Sequence, residues 1–216
     1  MQRTLLVYGD SNSHGTQPMP DWDGMPRFDR ATRWPGVAAA ALGSPWHLVE
    51  DGLPGRTTLH DDPVEGPHRN GALVLPAALG SHKPLDLVVV MLGTNDLKRA
   101  FGLTPREIGD GIEKLVKIIK ASESGPDGAA PAILIVVPPP VLEAGCLIEM
   151  FAGGAAKSAR LPAEYARVAA KHGTALLDAG KVIVSSPVDG VHFDAGEHAK
   201  LGRAMAQAVT NLMGKA

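Results

Sequence analysis

The sequence has one cysteine in 216 residues, Cys146, which excludes a disulfide framework and a thiolate metal cluster. It has no basic excess either. Its 21 Lys and Arg face 23 Asp and Glu, a formal net charge of -2 at pH 7, and no run of Lys and Arg builds a basic patch. Nucleic acid is therefore not an expected partner. No hydrophobic run approaches a membrane span, and Leu5 to Tyr8 is far too short for a signal-peptide core. A cytoplasmic location without a membrane partner is expected. With 44% hydrophobic and 20% charged residues, the chain reads as an ordinary soluble globular protein. Its length suits one sizeable core, so a single domain over 1–216 is expected.

Three continuous aliphatic runs lack polar alternation, as expected of central strands covered on both faces. They are Leu5 to Tyr8, ending at Gly9; Leu87 to Leu92, ending at Gly93; and Ala132 to Val137, ending at Pro138-Pro139-Pro140. Trp46 to Glu50 and Ala175 to Leu177 are weaker strand candidates. Helical patterns lie between them. Trp34 to Leu42 follows Thr32 and has a proline at its opening, a good first-turn position. Thr104-Pro105-Arg106-Glu107 resembles a capping box, and Ile108, Ile112, Leu115, Ile118 and Ile119 follow at helical spacing. Glu164 to His172 and Glu197 to Met213 are the later helices. Strand–helix alternation of this kind predicts an α/β fold, a three-layer α/β/α sandwich around a parallel sheet. Two long polar connections, Gln17 to Arg33 and Thr58 to Gly71, are candidates for functional loops.

Four turns at strand ends or before the last helix carry chemistry. Gly9-Asp10-Ser11-Asn12-Ser13 delivers Ser11 to the carboxyl end of the first strand, where ligands bind in open parallel sheets. Asp189-Gly190-Val191-His192 sets a carboxylate beside an imidazole. The aspartate can hold the ring tautomer while the other nitrogen takes a serine proton. Gly93-Thr94-Asn95-Asp96 follows the strongest strand, and an asparagine there offers two side-chain donors to a developing oxyanion. Gly52-Leu53-Pro54-Gly55-Arg56 can present a bare backbone N–H at Gly55. Each turn alone also reads as a cap or a surface turn. Together they supply a nucleophile, a base with its orienter, and oxyanion donors, as acyl transfer requires.

The ordered blocks Gly-Asp-Ser, Gly, Gly-x-Asn-Asp and Asp-x-x-His resemble the SGNH (GDSL-type) hydrolases, from Gly9 to His192. The chain is most similar to the bacterial arylesterase and acyltransferase branch, through Gly52 to Thr58, Asp61-Asp62-Pro63, Asn70-Gly71-Ala72, Met91 to Asp96 and Asp189 to Phe193. The resemblance implies a flavodoxin-like five-stranded parallel sheet and a serine esterase acting on short-chain aryl, alkyl or acetylated sugar esters. It also implies an acyl-serine intermediate and acyltransferase or perhydrolase side activity. By position it makes Ser11 the nucleophile, His192 the general base and acid, and Asp189 its orienter. Ser11 N–H, Gly55 N–H and Asn95 become the oxyanion hole. Asp10, Asn12, Thr94 and Val191 become candidate substrate-binding residues. Asn12 stands where the GDSL name has leucine, on the expected acyl side. The family implies no metal and no organic cofactor, a small-molecule ester as partner, and a homo-oligomer with contacts at Gln17 to Arg33 and Cys146 to Leu161.

Other residues receive plainer readings. Asp194 is read as the N-cap of the last helix. His60, His68 and His82 have no metal-ligand spacing and are expected to be solvated, His14 is expected at the pocket or surface, and Cys146 is structural. Trp22, Phe28 and Phe151 are candidates for the acyl-pocket wall or for packing. The rivals from other classes are a non-catalytic flavodoxin-like module and a carbohydrate-binding protein. The first loop has no Gly-x-Gly-x-x-Gly and no Walker lysine, and Asp10 disfavours phosphate there.

Overall fold

The computed structural model describes residues 2–214. Five parallel strands, β1 (Arg3–Gly9), β2 (Trp46–Gly52), β3 (Leu87–Met91), β4 (Ala132–Val137) and β5 (Ala175–Asp178), form one sheet in the order β2-β1-β3-β4-β5. The three aliphatic runs are its centre because each must bury both of its faces. Leu6, Tyr8, Val88, Val90, Ile133 and Ile135 pack on one side, against α3 (Gly71–His82), α4 (Pro105–Lys120) and α6 (Leu161–His172). Leu5, Val7, Leu87, Val89, Leu134 and Val136 pack on the other, against α2 (Trp34–Leu42) and α7 (Ala195–Met213). Each such side chain contributes roughly 1.5–3 kcal/mol by leaving water. Two short helices, α1 (Ser11–His14) and α5 (Gly154–Ser158), sit in the connections. Among the described residues no helix is long and apolar enough to cross a membrane.

The capping box is present. Thr104 Oγ1 accepts the Glu107 N–H at 3.3 Å, and the Glu107 carboxylate accepts the Thr104 N–H at 2.8 Å. Helix α3 has no counterpart in the sequence reading. Asn70 caps it, accepting the Leu73 N–H at 3.1 Å, but Pro76 lies inside it and only Gly71, Leu75, Ala78 and Leu79 are buried. An interior proline, and a run from Ala72 to Leu79 that is apolar at every position and so offers no polar face to set a period, hide the helix. Asp194 does occupy the N-cap position of α7. Its carboxylate, however, makes no cap bond and accepts the Ser186 hydroxyl at 3.2 Å.

The strand order sets where chemistry can occur. β2 flanks β1 on one side, while β3 and the later strands extend the sheet on the other, so direction reverses between β1 and β3. Gly9 lies level with Met91, so the loops leaving these two strands emerge side by side. In sheets of this order the crevice at the switch point is where ligands bind.

Behind that crevice α2 and α7 are tied together. The Trp34 N–H donates to His198 Nδ1 at 3.2 Å, and the buried imidazole packs against Phe28 and Phe193 with ring centroids 5.3 and 5.6 Å away. Burial, with the nearby His192 as a lesser cause, pushes the His198 pKa down to about 4. The folded protein therefore holds this ring neutral, whereas the unfolded chain takes up a proton below about pH 6.5. Stability present above that pH is lost as pH falls toward 4. Between pH 7 and pH 4 the wild type should lose about 3 kcal/mol more unfolding free energy than His198→Gln, which cannot titrate. Urea unfolding of both proteins across that range measures the difference.

Candidate active site

Ser11, Asp189 and His192, from two distant parts of the chain, meet at the crevice. Asp10, at the end of β1, caps the short helix α1 by accepting the Asn12 N–H at 3.0 Å, and this seats Ser11 in its first turn. His192 Nε2 lies 3.1 Å from Ser11 Oγ, and His192 Nδ1 lies 2.7 Å from Asp189 Oδ2. All three residues are buried, with Ser11 6% and His192 5% exposed. Asp189 Oδ2 also accepts the Met19 N–H at 2.7 Å, and Oδ1 accepts the N–H groups of Val191 and His192 at 2.9 Å each. Burial alone would raise this carboxyl, but the bond and charge of His192 and the backbone donors outweigh it and hold the pKa below the ordinary aspartate value. Asp189 therefore stays ionised and fixes the ring with a proton on Nδ1. That leaves Nε2 free to accept from Ser11. Gly190 makes the tight turn between the two residues, at φ +80°, where a Cβ would lie 2.1 Å from the Leu142 carbonyl.

Backbone and amide donors face the same place. Among the described residues nothing accepts from the N–H of Ser11 or of Gly55. Asn95 Nδ2 donates one hydrogen to the Arg56 carbonyl at 3.1 Å and keeps a second. Gly55 sits in a turn closed by the Arg56 N–H on the Leu53 carbonyl at 3.1 Å. Its φ of +78° after Pro54 is the type II geometry that favours glycine there. The Arg56 guanidinium braces this turn. It donates to the Gly9 carbonyl at 2.9 Å and to Asp51 at 2.6 and 2.8 Å, and it stacks on the Tyr8 ring at 4.0 Å. Thr58 ties the turn to the neighbouring loop, its hydroxyl and N–H both donating to the buried Asp96 carboxylate at 2.5 and 3.0 Å. Burial raises the Asp96 pKa, and the Thr58 bonds offset part of that rise.

Ser11, Gly55, Asn95 and His192 line one cavity of about 100 Å³, whose apolar walls include Met19, Trp22, Leu147, Phe151 and Val191. Among the sequence-derived candidates for substrate contact, Val191 lines this cavity, while Asp10, Asn12 and Thr94 do not. Asp10 is spent on its cap, and burial pushes its carboxyl up to about 6. Asn12 donates instead to the Val191 carbonyl at 3.2 Å, tying α1 to the Asp189–His192 turn. Trp22 and Phe151 are in the wall, whereas Phe28 packs on His198. Met19, Met25, Leu147, Met150, Glu65 and Lys98 also line it; the sequence flagged the segments that hold all but Lys98 but none of the residues, since no periodicity singles them out there. His14 is half-buried beside Thr16, His60 packs near Phe101, and His68 and His82 are exposed. Cys146 is half-buried, its thiol donating to the Met19 carbonyl at 3.3 Å.

Comparison with known proteins gives the family and the fold. A family model described as GDSL-like lipase/acylhydrolase matches residues 7–200. Among solved structures, an aryl esterase from M. smegmatis is 39% identical with a TM-score of 0.93, over 97% of this chain and 99% of that one. A carbohydrate acetylesterase from Sinorhizobium meliloti is 39% identical with a TM-score of 0.93, over 98% and 100%. A further carbohydrate acetylesterase family member from that organism is 40% identical with a TM-score of 0.91, over 99% and 100%. No curated protein matches the chain by sequence.

The four bonds on Asp189 give a test of its charge. Asp189→Asn keeps the size and can still accept two of those bonds, but it presents the ring with a donor where an acceptor is needed. It should lower kcat for ester hydrolysis by roughly 10³- to 10⁴-fold, judged from the same exchange in another serine triad, with the fold intact by circular dichroism. A kcat within about tenfold of wild type would remove Asp189 from the relay.

Proposed function

The chain belongs to the GDSL-like lipase/acylhydrolase family of ester hydrolases, and from that premise we propose that it cleaves short-chain esters through an acyl-serine on Ser11. The observation that carries this reading is the unbroken line Asp189–His192–Ser11, at 2.7 and 3.1 Å, opening into a cavity also lined by Gly55 and Asn95. Ser11 Oγ attacks the ester carbonyl carbon while His192 Nε2 takes its proton. The carbonyl oxygen becomes an oxyanion facing Ser11 N–H, Gly55 N–H and Asn95 Nδ2, each donor lowering the barrier by roughly 3–4 kcal/mol. The ester C–O bond then breaks, and His192 returns the proton to the departing alcohol. Water attacks the acyl-serine with His192 again as base, the acid leaves, and Ser11 regains its proton.

The two cavities at this site divide the substrate. The catalytic one, at about 100 Å³ with apolar walls, suits a short acyl group. A larger cavity of about 480 Å³ adjoins it, sharing Glu65, Lys98 and Met150 and adding Asp62, Arg99 and Glu149. Its charged side chains can bond the hydroxyls of a polyhydroxy alcohol, and Phe101 gives an aromatic ring a face to pack on. Acetylated sugars and aryl acetates are the substrate class this division supports, in line with the aryl and carbohydrate esterases named among the relatives. The apolar wall of the catalytic cavity also favours transfer. An alcohol that reaches the acyl-serine in place of water yields a new ester, and hydrogen peroxide yields a peracid. Self-association belongs to the same reading. Trp22 and Met25 are 61% and 55% exposed at the cavity mouth, on the loop 17–33, where a second copy of the chain would cover them.

A p-nitrophenyl ester series from acetate to octanoate tests this division. The value of kcat/KM should fall at least about tenfold between butyrate and octanoate, since the added methylenes exceed the cavity. Ser11→Ala should lose at least about 10³-fold of kcat while remaining folded. Turnover by Ser11→Ala at the wild-type rate would refute Ser11 as nucleophile, and octanoate as the preferred substrate would refute the assignment of the small cavity to the acyl group.

A further inference from the structure

We propose that Arg69 is a positioning residue for catalysis: by binding the Pro54 carbonyl it aims the Gly55 N–H into the cavity and polarises it as an oxyanion donor. The inference rests on the reading of Gly55 N–H as part of the oxyanion hole. The Arg69 guanidinium donates from Nη1 to the Pro54 carbonyl, 15 positions back in the sequence, and its Nη2 pairs with the Glu65 carboxylate at 2.5 Å. Its side chain is 16% exposed, and its own carbonyl accepts the Thr57 N–H at 2.9 Å, so the arginine and the turn it grips are held from both ends.

The geometry follows from the peptide group itself. In a planar trans peptide the C=O and the N–H point in opposite directions. The Pro54 carbonyl and the Gly55 N–H are the two ends of one such unit, so a guanidinium fixed on the carbonyl fixes the direction of the N–H. That N–H has no acceptor among the described residues, and Gly55 lines the catalytic cavity. The competing state is equally defined. Type I and type II turns differ by a flip of the central peptide, and glycine at the third turn position tolerates both. The flipped turn would swing the N–H out of the cavity and turn the Pro54 carbonyl oxygen toward the developing oxyanion. Arg69 bonds only the productive orientation. A charged donor on a carbonyl also draws electron density from the same peptide, and hydrogen bonds linked through a peptide strengthen one another.

Arg69→Met and Arg69→Lys, with Asn95→Ala alongside, decide the matter on p-nitrophenyl acetate and on a trifluoromethyl ketone, whose adduct with Ser11 carries the oxyanion. Arg69→Met should lower kcat by about 10- to 100-fold with KM changed by less than about threefold, because a misaimed donor costs less than a deleted one. Affinity for the ketone should weaken in proportion to kcat/KM, a split that a merely structural role would not produce. Arg69→Lys restores a charged donor without the planar fork and should recover most of the loss, remaining about 3- to 10-fold below wild type. Should Arg69→Met fail to fold, Arg69→Lys decides alone, and wild-type kcat with wild-type ketone affinity in it overturns the proposal. A loss confined to KM also overturns it. If Asn95→Ala loses kcat while Arg69→Met does not, the oxyanion hole stands and the role of Arg69 falls. If neither loses kcat, the hole itself is misassigned and the proposal falls with it.

Discussion

The proposed active site is organised by the need to keep one carboxylate charged where no water reaches it. Asp189 is fully buried, and moving a carboxylate out of water costs several kcal/mol unless its oxygens find donors. It finds four, two on each oxygen. Two are backbone N–H groups of its own turn, available only because Gly190 takes a left-handed conformation. The third is the His192 ring. The fourth, the Met19 N–H, comes from 170 positions away, and it draws the loop 17–33 across the site. That loop then supplies Met19, Trp22 and Met25 to the cavity wall. In the proposed site, satisfying the Asp189 charge and walling the cavity are therefore one structural solution.

The oxyanion side is held differently. Its donors sit on loops that leave neighbouring strands but share no ladder with one another, so side chains must fasten backbone to backbone. Arg56 spans the ends of β1 and β2, its carbonyl holds Asn95, Thr58 reaches Asp96, and Arg69 reaches Pro54. Most of these fasteners are buried or nearly so, and most are guanidinium or carboxylate groups bonded to several partners at once. A charged group with several bonds loses more when one is misplaced than a hydroxyl does, so such fasteners give loops the fixed geometry that a sheet gives strands.

How far the site was legible in sequence follows from the same division. Strand ends are readable because an aliphatic run stops at a glycine, which put Ser11 and Asn95 at strand ends, while their roles came from the four turns taken together and from the family resemblance. Asp189 and His192 are three residues apart and needed no long-range information to be paired. Gly55 sits in a Pro-Gly turn that by itself says little, and only the family resemblance gave it a role. Arg69, Met19 and the loop residues of the cavity wall were not, because their contacts cross 15 to 170 positions and leave no periodic trace. Helix α3 was hidden for another reason: Pro76 interrupts its pattern, and the surrounding fold supplies the stability that its own sequence does not advertise. Asn12 shows the opposite failure. The resemblance put its position on the acyl side, but its buried amide donates to the Val191 carbonyl instead.

Charge on the two sides of Ser11 is distributed unequally, and the proposed mechanism gives that inequality a purpose. As Ser11 attacks, a neutral serine and a neutral imidazole become an oxyanion and an imidazolium, so the step creates a dipole inside a site with little water. Asp189 touches the imidazole directly, and the buried Asp10 lies close enough to interact with it electrostatically. Behind the oxyanion donors stand two guanidinium groups, each gripping a carbonyl of the loop framework. Both arginines carry a carboxylate partner, Asp51 and Glu65, so little net charge is set against the oxyanion itself. What remains is a set of fixed hydrogen-bond dipoles with their positive ends toward the place where negative charge develops. Being bonded before substrate arrives, they need no reorganisation as the charge appears, and that is where a preorganised site gains over water.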